Sequence, residues 1–270
     1  MFVIGVPAEG SDEPRIGITP ETVKKLVKAG GTVKIRSGAG MRSHFSDAQY
    51  QEAGAKIAKS DAEAVSDADL VLTVRRPSAA VVKSIKKSAL LVGMLDPYSD
   101  ADGLTGLAKT GASVFAMELM PRISRAQSMD VLSSQSNLAG YKAVVDAAAL
   151  FSRALPMMMT AAGTVPAARV FVMGVGVAGL QAIATARRLG AIVTATDVRP
   201  AVKEQVASLG AKFIAVEDEE FKQAETAGGY AKEMSKEYQL KQAALTAEHI
   251  KKQDIIITTA LIPRRPAPKL

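Results

Sequence analysis

Three glycines and an acid between residues 169 and 197 have the types and spacing of a dinucleotide-binding site. Val170 to Met173 predict an apolar strand, and Gly174, Gly176 and Gly179 follow it as G-x-G-x-x-G. In this motif the first glycine allows a tight turn, the second lets a pyrophosphate approach the backbone, and the third lets the next helix pack on the strand. The amides at the start of that helix, from Val177 onward, would bind the phosphates.

The acid at the end of this unit predicts which cofactor binds. A second strand, Ile192 to Thr196, ends at Asp197, whose carboxylate can accept both hydroxyls of an adenosine ribose and would repel a 2′-phosphate. The predicted cofactor is therefore NAD(H). Arg199 is a further candidate contact, because an arginine just past the acid can pair with a 2′-phosphate. Its alternative interpretation is a solvated charge at the start of the next helix.

A second polar group lies between two apolar segments, in residues 119 to 141. Arg122, Gln127 and Asp130 combine a fixed cation, an amide that donates and accepts, and a carboxylate that can hold the arginine. The alternative is purely structural, since Ser124 and Gln127 have the spacing of a helix-capping box. Spacing alone leaves both interpretations open.

The composition excludes several classes of function. The chain has no cysteine, and its two histidines, His44 and His249, have no ligand cluster around them, so no metal site is predicted. The net charge of +7 comes from lysines and arginines scattered among acids without interleaved aromatics, which argues against nucleic-acid binding. The amino terminus is interpreted as a first strand and not as a signal peptide.

The elements that must position these residues alternate between strand and helix along the whole chain. Such alternation predicts an α/β protein with two Rossmann-like, doubly wound parallel-sheet domains. We place the first domain at residues 1–136, a connecting helix and linker at 137–163, and the dinucleotide-binding domain at 164–270. The second domain is interpreted as truncated at its carboxyl end, with about four strands where a full fold of this kind has six.

The remaining boundaries follow from apolar runs and helix-capping residues. Strands are predicted at 3–6, 33–35, 70–74, 90–92, 114–116, 213–216 and 254–257, a long helix at 137–155, and a linker at 157–166. Thr258, Thr259 and Ala260 then lie at the carboxyl end of the last strand, where open α/β sheets bind ligands. We expect them to border the nicotinamide half of the cofactor. Gly38 and Gly40 are interpreted as a tight turn.

Several long motifs carry a family resemblance that covers nearly the whole chain. Five motifs closely resemble the NAD(H)-binding domain I of proton-translocating nicotinamide nucleotide transhydrogenase. They are PRISRAQSMD, SSQSNLAGY, MTAAGTVPAARV, GVGVAGLQAIATA and TTALIP. The amino-terminal IGVPAE and PRIGITPETV are motifs that this family shares with alanine dehydrogenase. The resemblance implies a dimeric peripheral unit on the cytoplasmic face of the inner membrane. Its partners would be a membrane domain that moves protons and a domain that carries NADP(H).

The resemblance also implies roles for individual residues. Arg122, Gln127 and Asp130 match the family's Arg-Gln-Asp loop, which shapes the nicotinamide pocket and bridges to the NADP(H) domain, and they are assigned as catalytic together with Ser133. Tyr141 matches a nearby pocket residue and is assigned to cofactor binding. In AGGYAKEM, Tyr230 matches the tyrosine of a mobile loop that closes over the adenosine portion of the nucleotide.

Two alternatives stay open at this point. An alanine dehydrogenase would need the histidine and lysine of that enzyme's substrate pocket, whereas the matching regions here contain Asp96 and Arg75. Arg15, in PRIGITP, is retained from the motif shared with alanine dehydrogenase. It is interpreted either as a remnant of that enzyme's substrate site or as a contact within the fold. The other alternative is an NAD(H)-binding module that does no chemistry.

Overall fold

A computed structural model describes residues 2–121, 123–222 and 234–260. It divides into two compact units, Met1–Val131 and Leu132–Leu270. Each unit is built on its own parallel sheet. The domain boundaries predicted at 136 and 163 stay a prediction.

The first unit has a six-stranded sheet in the order β3-β2-β1-β4-β5-β6, with every neighbouring pair parallel. This is the strand order of a doubly wound fold. Its strands are β1 (Val3–Val6), β2 (Thr32–Arg36), β3 (Lys56–Ala58), β4 (Leu70–Leu72), β5 (Leu90–Gly93) and β6 (Ser113–Ala116). Its helices are α1 (Pro20–Lys28), α2 (Asp47–Glu52), α3 (Asp61–Val65), α4 (Ala79–Ser84) and α5 (Ala101–Ala108).

Helices of this unit begin where the capping residues predict. The Thr19 hydroxyl accepts from the Thr22 amide and Pro20 takes the first helical position. Ser46 and Gln49 form a full capping box at the start of α2. Satisfied amides at a helix start stabilise it by about 1 kcal/mol each. Strand residues such as Ile4 and Leu91 are fully buried, because helices cover both faces of the sheet.

The second unit has a four-stranded parallel sheet among its described residues, in the order β11-β10-β9-β12. Its strands are β7 (Met158–Thr160), β8 (Gly163–Val165), β9 (Arg169–Met173), β10 (Ile192–Thr196), β11 (Lys212–Phe213) and β12 (Ile255–Thr258). Its helices are α6 (Val131–Leu150), which begins at the boundary between the units, α7 (Val177–Arg188), α8 (Val202–Ser208), α9 (Glu219–Lys222) and α10 (Lys236–Ile250).

The core of this unit lies between the sheet and its helices. Val170 and Val172 of β9 pack with Ile183 of α7 in one apolar cluster. On α10, His249 contacts the Phe171 ring edge-on, and its Nε2 lies 2.8 Å from the Thr194 hydroxyl. Partial burial lowers the pKa of His249, which favours its neutral form.

Several elements differ from those predicted: β4 ends at Leu72 and not at residue 74, β11 spans Lys212–Phe213 and not 213–216, and three larger differences concern α6, the hairpin and β3. The long helix spans Val131–Leu150, so it begins and ends earlier than 137–155. Residues 157–166 contain the antiparallel hairpin β7–β8 where a linker was predicted, because the two-residue loop between Thr160 and Gly163 pairs two short strands. The prediction also missed β3, whose three residues are too few to show a period.

Candidate functional site

The turn after β9 has the backbone that the first and third glycines predict. Gly174 has a φ of +99°, and its amide donates to the Thr196 carbonyl oxygen at 2.9 Å. A methyl group on Gly179 would overlap the Gly174 carbonyl oxygen. Helix α7 therefore packs directly on the turn, which a side chain at position 179 would prevent.

The second glycine leaves open space. A Cβ atom built on Gly176 would meet no atom within 4 Å, although its φ of −83° suits any residue. Gly176 is the residue that precedes α7, and no side chain of the described residues caps this helix start. Amides at a helix start carry partial positive charge and bind anions. The open space and the uncapped amides together fit a pyrophosphate group.

The end of β12 supports this turn from the other side. The Thr259 hydroxyl donates to the Gly174 carbonyl oxygen at 2.8 Å, and the Thr259 amide donates to the Met173 carbonyl oxygen at 2.9 Å. The amide nitrogen of Ala260 lies beside Gly174, 3.3 Å from where a Cβ atom would stand. Sequence reasoning placed Thr259 and Ala260 at this sheet edge but missed that Thr259 fixes the shape of the turn.

Asp197 belongs to the same site. Its carboxylate accepts from the Val175 amide of the glycine turn at 2.7 Å, and its side chain is only 7% exposed. Arg199 lies across it, with Nε 3.0 Å from Oδ1 and Nη2 3.1 Å from Oδ2. The interpretation of Arg199 as a solvated charge is wrong, because its guanidinium is held against Asp197.

Helix α6 approaches the start of α7 within the second unit. A Cβ atom on Gly140 would overlap the backbone of Ala178, so the two helices are in direct contact there. Tyr141 is the next residue and is half exposed. Ser133 lies two turns earlier on α6 and is partly buried. Ser133 and Tyr141 therefore both lie on α6, the helix that packs against α7.

The polar loop that precedes α6 belongs mostly to the first unit. Ser124–Met129 form a 3-10 turn anchored by the buried Ala126, with Gln127 exposed and Asp130 partly buried. Ser124 is the first residue of this 3-10 helix, as the structural alternative predicts, but no side chain caps it, so the predicted capping box of Ser124 and Gln127 does not form. Arg122 and Tyr230, two of the predicted site residues, lie outside the described residues.

In the first sheet the strand order reverses between β1 and β4, and beyond their carboxyl ends two acidic side chains are bonded to other residues of the chain. Glu9 accepts from the amides of Val74 and Arg75, at 2.6 and 3.1 Å. Glu13 pairs with Arg15 and Arg75, at 2.6 and 2.8 Å. The site supported by the glycine motif is therefore in the second unit.

Two other predictions concern the first unit. Gly38 has a φ of +75°, and its amide donates to Asp47, so it makes the tight turn predicted for it. Asp96 accepts a hydrogen bond from the Ser99 hydroxyl.

Comparison with known protein families agrees with this geometry. The model of the alanine dehydrogenase/PNT N-terminal domain matches residues 5–139, and that of the C-terminal domain matches residues 143–270. An NAD(P) transhydrogenase alpha subunit of Rhodospirillum rubrum is 57% identical over 99% of this chain and 71% of its own length. Alanine dehydrogenase of Mycobacterium tuberculosis is 29% identical over 99% of this chain and 67% of its own length.

A solved structure shows the same similarity in three dimensions. The crystal structure of transhydrogenase from Sinorhizobium meliloti matches with a TM-score of 0.88 and 57% identity, over 98% of this chain and 72% of that one. The two parallel sheets, the glycine turn and the sequence motifs therefore all indicate the same family. The chain belongs to the alanine dehydrogenase/PNT family, within the group of NAD(P) transhydrogenase alpha subunits.

Proposed function

We propose that this chain is the NAD(H)-binding component of a proton-translocating transhydrogenase. The observation that carries the proposal is the glycine turn, which combines an open cradle at Gly176 with a buried acid, Asp197, bonded to the amide next to it. A carboxylate at this position binds ribose hydroxyls and disfavours a 2′-phosphate. NAD(H) is therefore the cofactor assigned to this chain, and NADP(H) is assigned to the partner domain.

The residues of the chain then have binding and orienting roles. The amides at the start of α7, from Val177 on, hold the pyrophosphate, while Ala260 borders the nicotinamide end. When bound, NADH supplies a hydride that is transferred directly to NADP⁺ held on the partner. Gln127 and Asp130, with Arg122 and Ser133, shape the nicotinamide pocket and exclude water from it. Tyr141 contacts the bound nucleotide, and Tyr230 covers its adenosine portion.

Direct hydride transfer between two nicotinamide nucleotides needs no proton donor on the protein, whereas the reduction of a carbonyl group needs one. This difference disfavours an alanine dehydrogenase. The two histidines of the chain are His44 and His249, and the Nε2 of the partly buried His249 is hydrogen-bonded to the Thr194 hydroxyl. In the first unit, Arg15 is already paired with the buried Glu13. A non-catalytic module becomes the better proposal only if the exchange assay described below fails.

The proposed partners are a second copy of this chain, an NADP(H)-binding domain and a membrane domain that moves protons. None of the helices in the described ranges is long and apolar enough to span a membrane. Relatives at 57% and 46% identity are named as subunits, which supports an assembly with other chains. We place the protein on the cytoplasmic side of the inner membrane, attached through those partners.

Cofactor selection is tested by titrating the chain with NADH and, separately, with NADPH while following dihydronicotinamide fluorescence. We expect saturable NADH binding that Asp197→Ala weakens by roughly 1–3 kcal/mol, the value of hydrogen bonds to a charged group. Asp146→Ala is the control, because Asp146 is exposed and pairs only with Lys142 among the described residues. Equal NADH affinity in both variants would mean that Asp197 does not bind the ribose.

Hydride transfer is tested by cyclic exchange between NADH and a nicotinamide analogue with an NADP(H)-loaded partner domain. Gln127→Asn should slow this exchange far more than it weakens NADH binding, because Gln127 is assigned to orienting the reacting groups. Parallel losses in rate and binding would contradict that role. No exchange by the wild-type chain with a competent partner would favour the non-catalytic module.

A further inference from the structure

The carboxylate assigned to the ribose already has a full set of partners from the chain itself. Among the described residues, Asp197 accepts from the amides of Val175 and Arg199, at 2.7 and 2.9 Å, and from two nitrogens of the Arg199 guanidinium. A carboxylate offers about four lone-pair sites. Two ribose hydroxyls can therefore bind only if donors now present leave.

The two backbone amides cannot leave without breaking the local fold. The Val175 amide belongs to the glycine turn, and Val175 is buried. The Arg199 amide donates to the carboxylate two residues before it, within one short loop. The guanidinium, in contrast, stands at the end of a flexible side chain that is 29% exposed. It is the donor whose departure leaves both backbone amides bonded to Asp197.

The guanidinium also bonds to the turn itself. Its Nη2 donates to the Val175 carbonyl oxygen at 3.1 Å, so it links the acid to the glycine turn. Its charge compensates that of Asp197. Compensation matters for selectivity, because the repulsion of a 2′-phosphate by Asp197 depends on an uncompensated negative charge.

We propose that Arg199 is a latch on the ribose-binding carboxylate, which competes with the ribose hydroxyls for Asp197 and thereby sets both the affinity for NADH and the discrimination against NADPH. This inference rests on the proposed binding of NAD(H) in the second unit. Once the latch opens, the guanidinium lies beside the ribose and offers a cation to any 2′-phosphate. Arg199 therefore lowers the affinity for NADH and raises the affinity for NADPH.

The test compares the full wild-type chain with Arg199→Gln and Arg199→Lys, measuring Kd for NADH and for NADPH by fluorescence titration. Glutamine removes the charge at similar length, and lysine keeps the charge but loses the planar fork that spans both carboxylate oxygens. Lys203→Gln is the control, because it removes one positive charge from the adjacent α8, where Lys203 pairs with the exposed Glu217. Thermal unfolding of each variant reports its folding.

We expect Arg199→Gln to bind NADH about two- to fivefold more tightly, which is the range of one partly exposed ion pair, and to bind NADPH no better. Arg199→Lys should fall between the wild type and glutamine, and Lys203→Gln should match the wild type. An unchanged or weaker affinity of Arg199→Gln for NADH overturns the latch, including the case in which only its melting temperature falls. A wild-type chain that binds no NADH would overturn the proposed function itself, which separates the two failures.

Discussion

Glu13 is a fully buried carboxylate that faces two arginines in the first unit. Both its oxygens accept from Arg15, with distances of 2.7 Å to Nε and 2.6 Å to Nη2, and Oε2 also accepts from Arg75 at 2.8 Å. These hydrogen bonds, chiefly those from Arg15, lower the pKa of Glu13 from 4.5 to about 2. A lowered pKa means that folding favours the charged form of this group.

Replacing Glu13 with glutamine should therefore destabilise the first unit in a pH-dependent way. At pH 7 we expect the free energy of unfolding to fall by roughly 1–3 kcal/mol, because two guanidinium groups lose their carboxylate. The wild-type advantage is complete above about pH 4.5 and is lost as the pH falls towards 2, since the unfolded state then binds the proton more readily. Urea unfolding at several pH values measures this difference.

The control for this variant is Glu21→Gln. Glu21 is exposed and pairs with Lys25 one helical turn away, so its replacement should leave the stability nearly unchanged at every pH. A Glu13→Gln effect that stays constant down to pH 3 would contradict the ion-pair explanation and point to packing alone.

At the scale of elements, two glycines of the turn have different roles: Gly179 is required for folding and Gly176 for cofactor binding. Gly179→Ala should cost roughly 2–3 kcal/mol or prevent folding, because the methyl group overlaps the Gly174 carbonyl oxygen. Gly176→Ala should cost only about 0.5–1 kcal/mol, since the space is open and alanine is merely a poorer helix cap. It should nevertheless weaken NADH binding at least about tenfold, because the methyl group would occupy the pyrophosphate's place.

Circular dichroism melts and NADH titrations of the two variants provide both measurements. A well-folded Gly179→Ala chain would show that α7 can move away from the turn. Tight NADH binding by Gly176→Ala would show that the pyrophosphate does not approach this glycine.

How far the sequence predicts each element depends on how local its determinants are. The segment from β9 to Asp197 was predicted almost to the residue, because the strand, turn and helix signals lie within 29 residues, 169–197. The pairing of Glu13 with Arg75 spans 62 residues and leaves no trace in local spacing. Arg199 lies only two residues from Asp197, but spacing in a loop does not show whether a side chain turns towards solvent or towards an acid.

The hairpin β7–β8 escaped prediction for a different reason. Strand prediction relies on apolar side chains that alternate with polar ones as one face is buried. Here all the residues of both strands are exposed, including Met158 and Met159, and Met157, just before β7, is exposed as well. A pattern of apolar residues without burial in its own unit is typical of a surface that contacts another chain.

At the scale of the whole molecule, these exposed methionines bear on the proposed homodimer. Met159→Glu should shift the chain from dimer to monomer, because a carboxylate would have to be desolvated in an apolar interface at a cost of several kcal/mol. Sedimentation velocity across a concentration series measures this shift. Leu240→Glu is a matched control, since Leu240 on α10 is 73% exposed, as is Met159. A dimer unchanged by Met159→Glu but dissociated by Leu240→Glu would move the interface from the hairpin to α10.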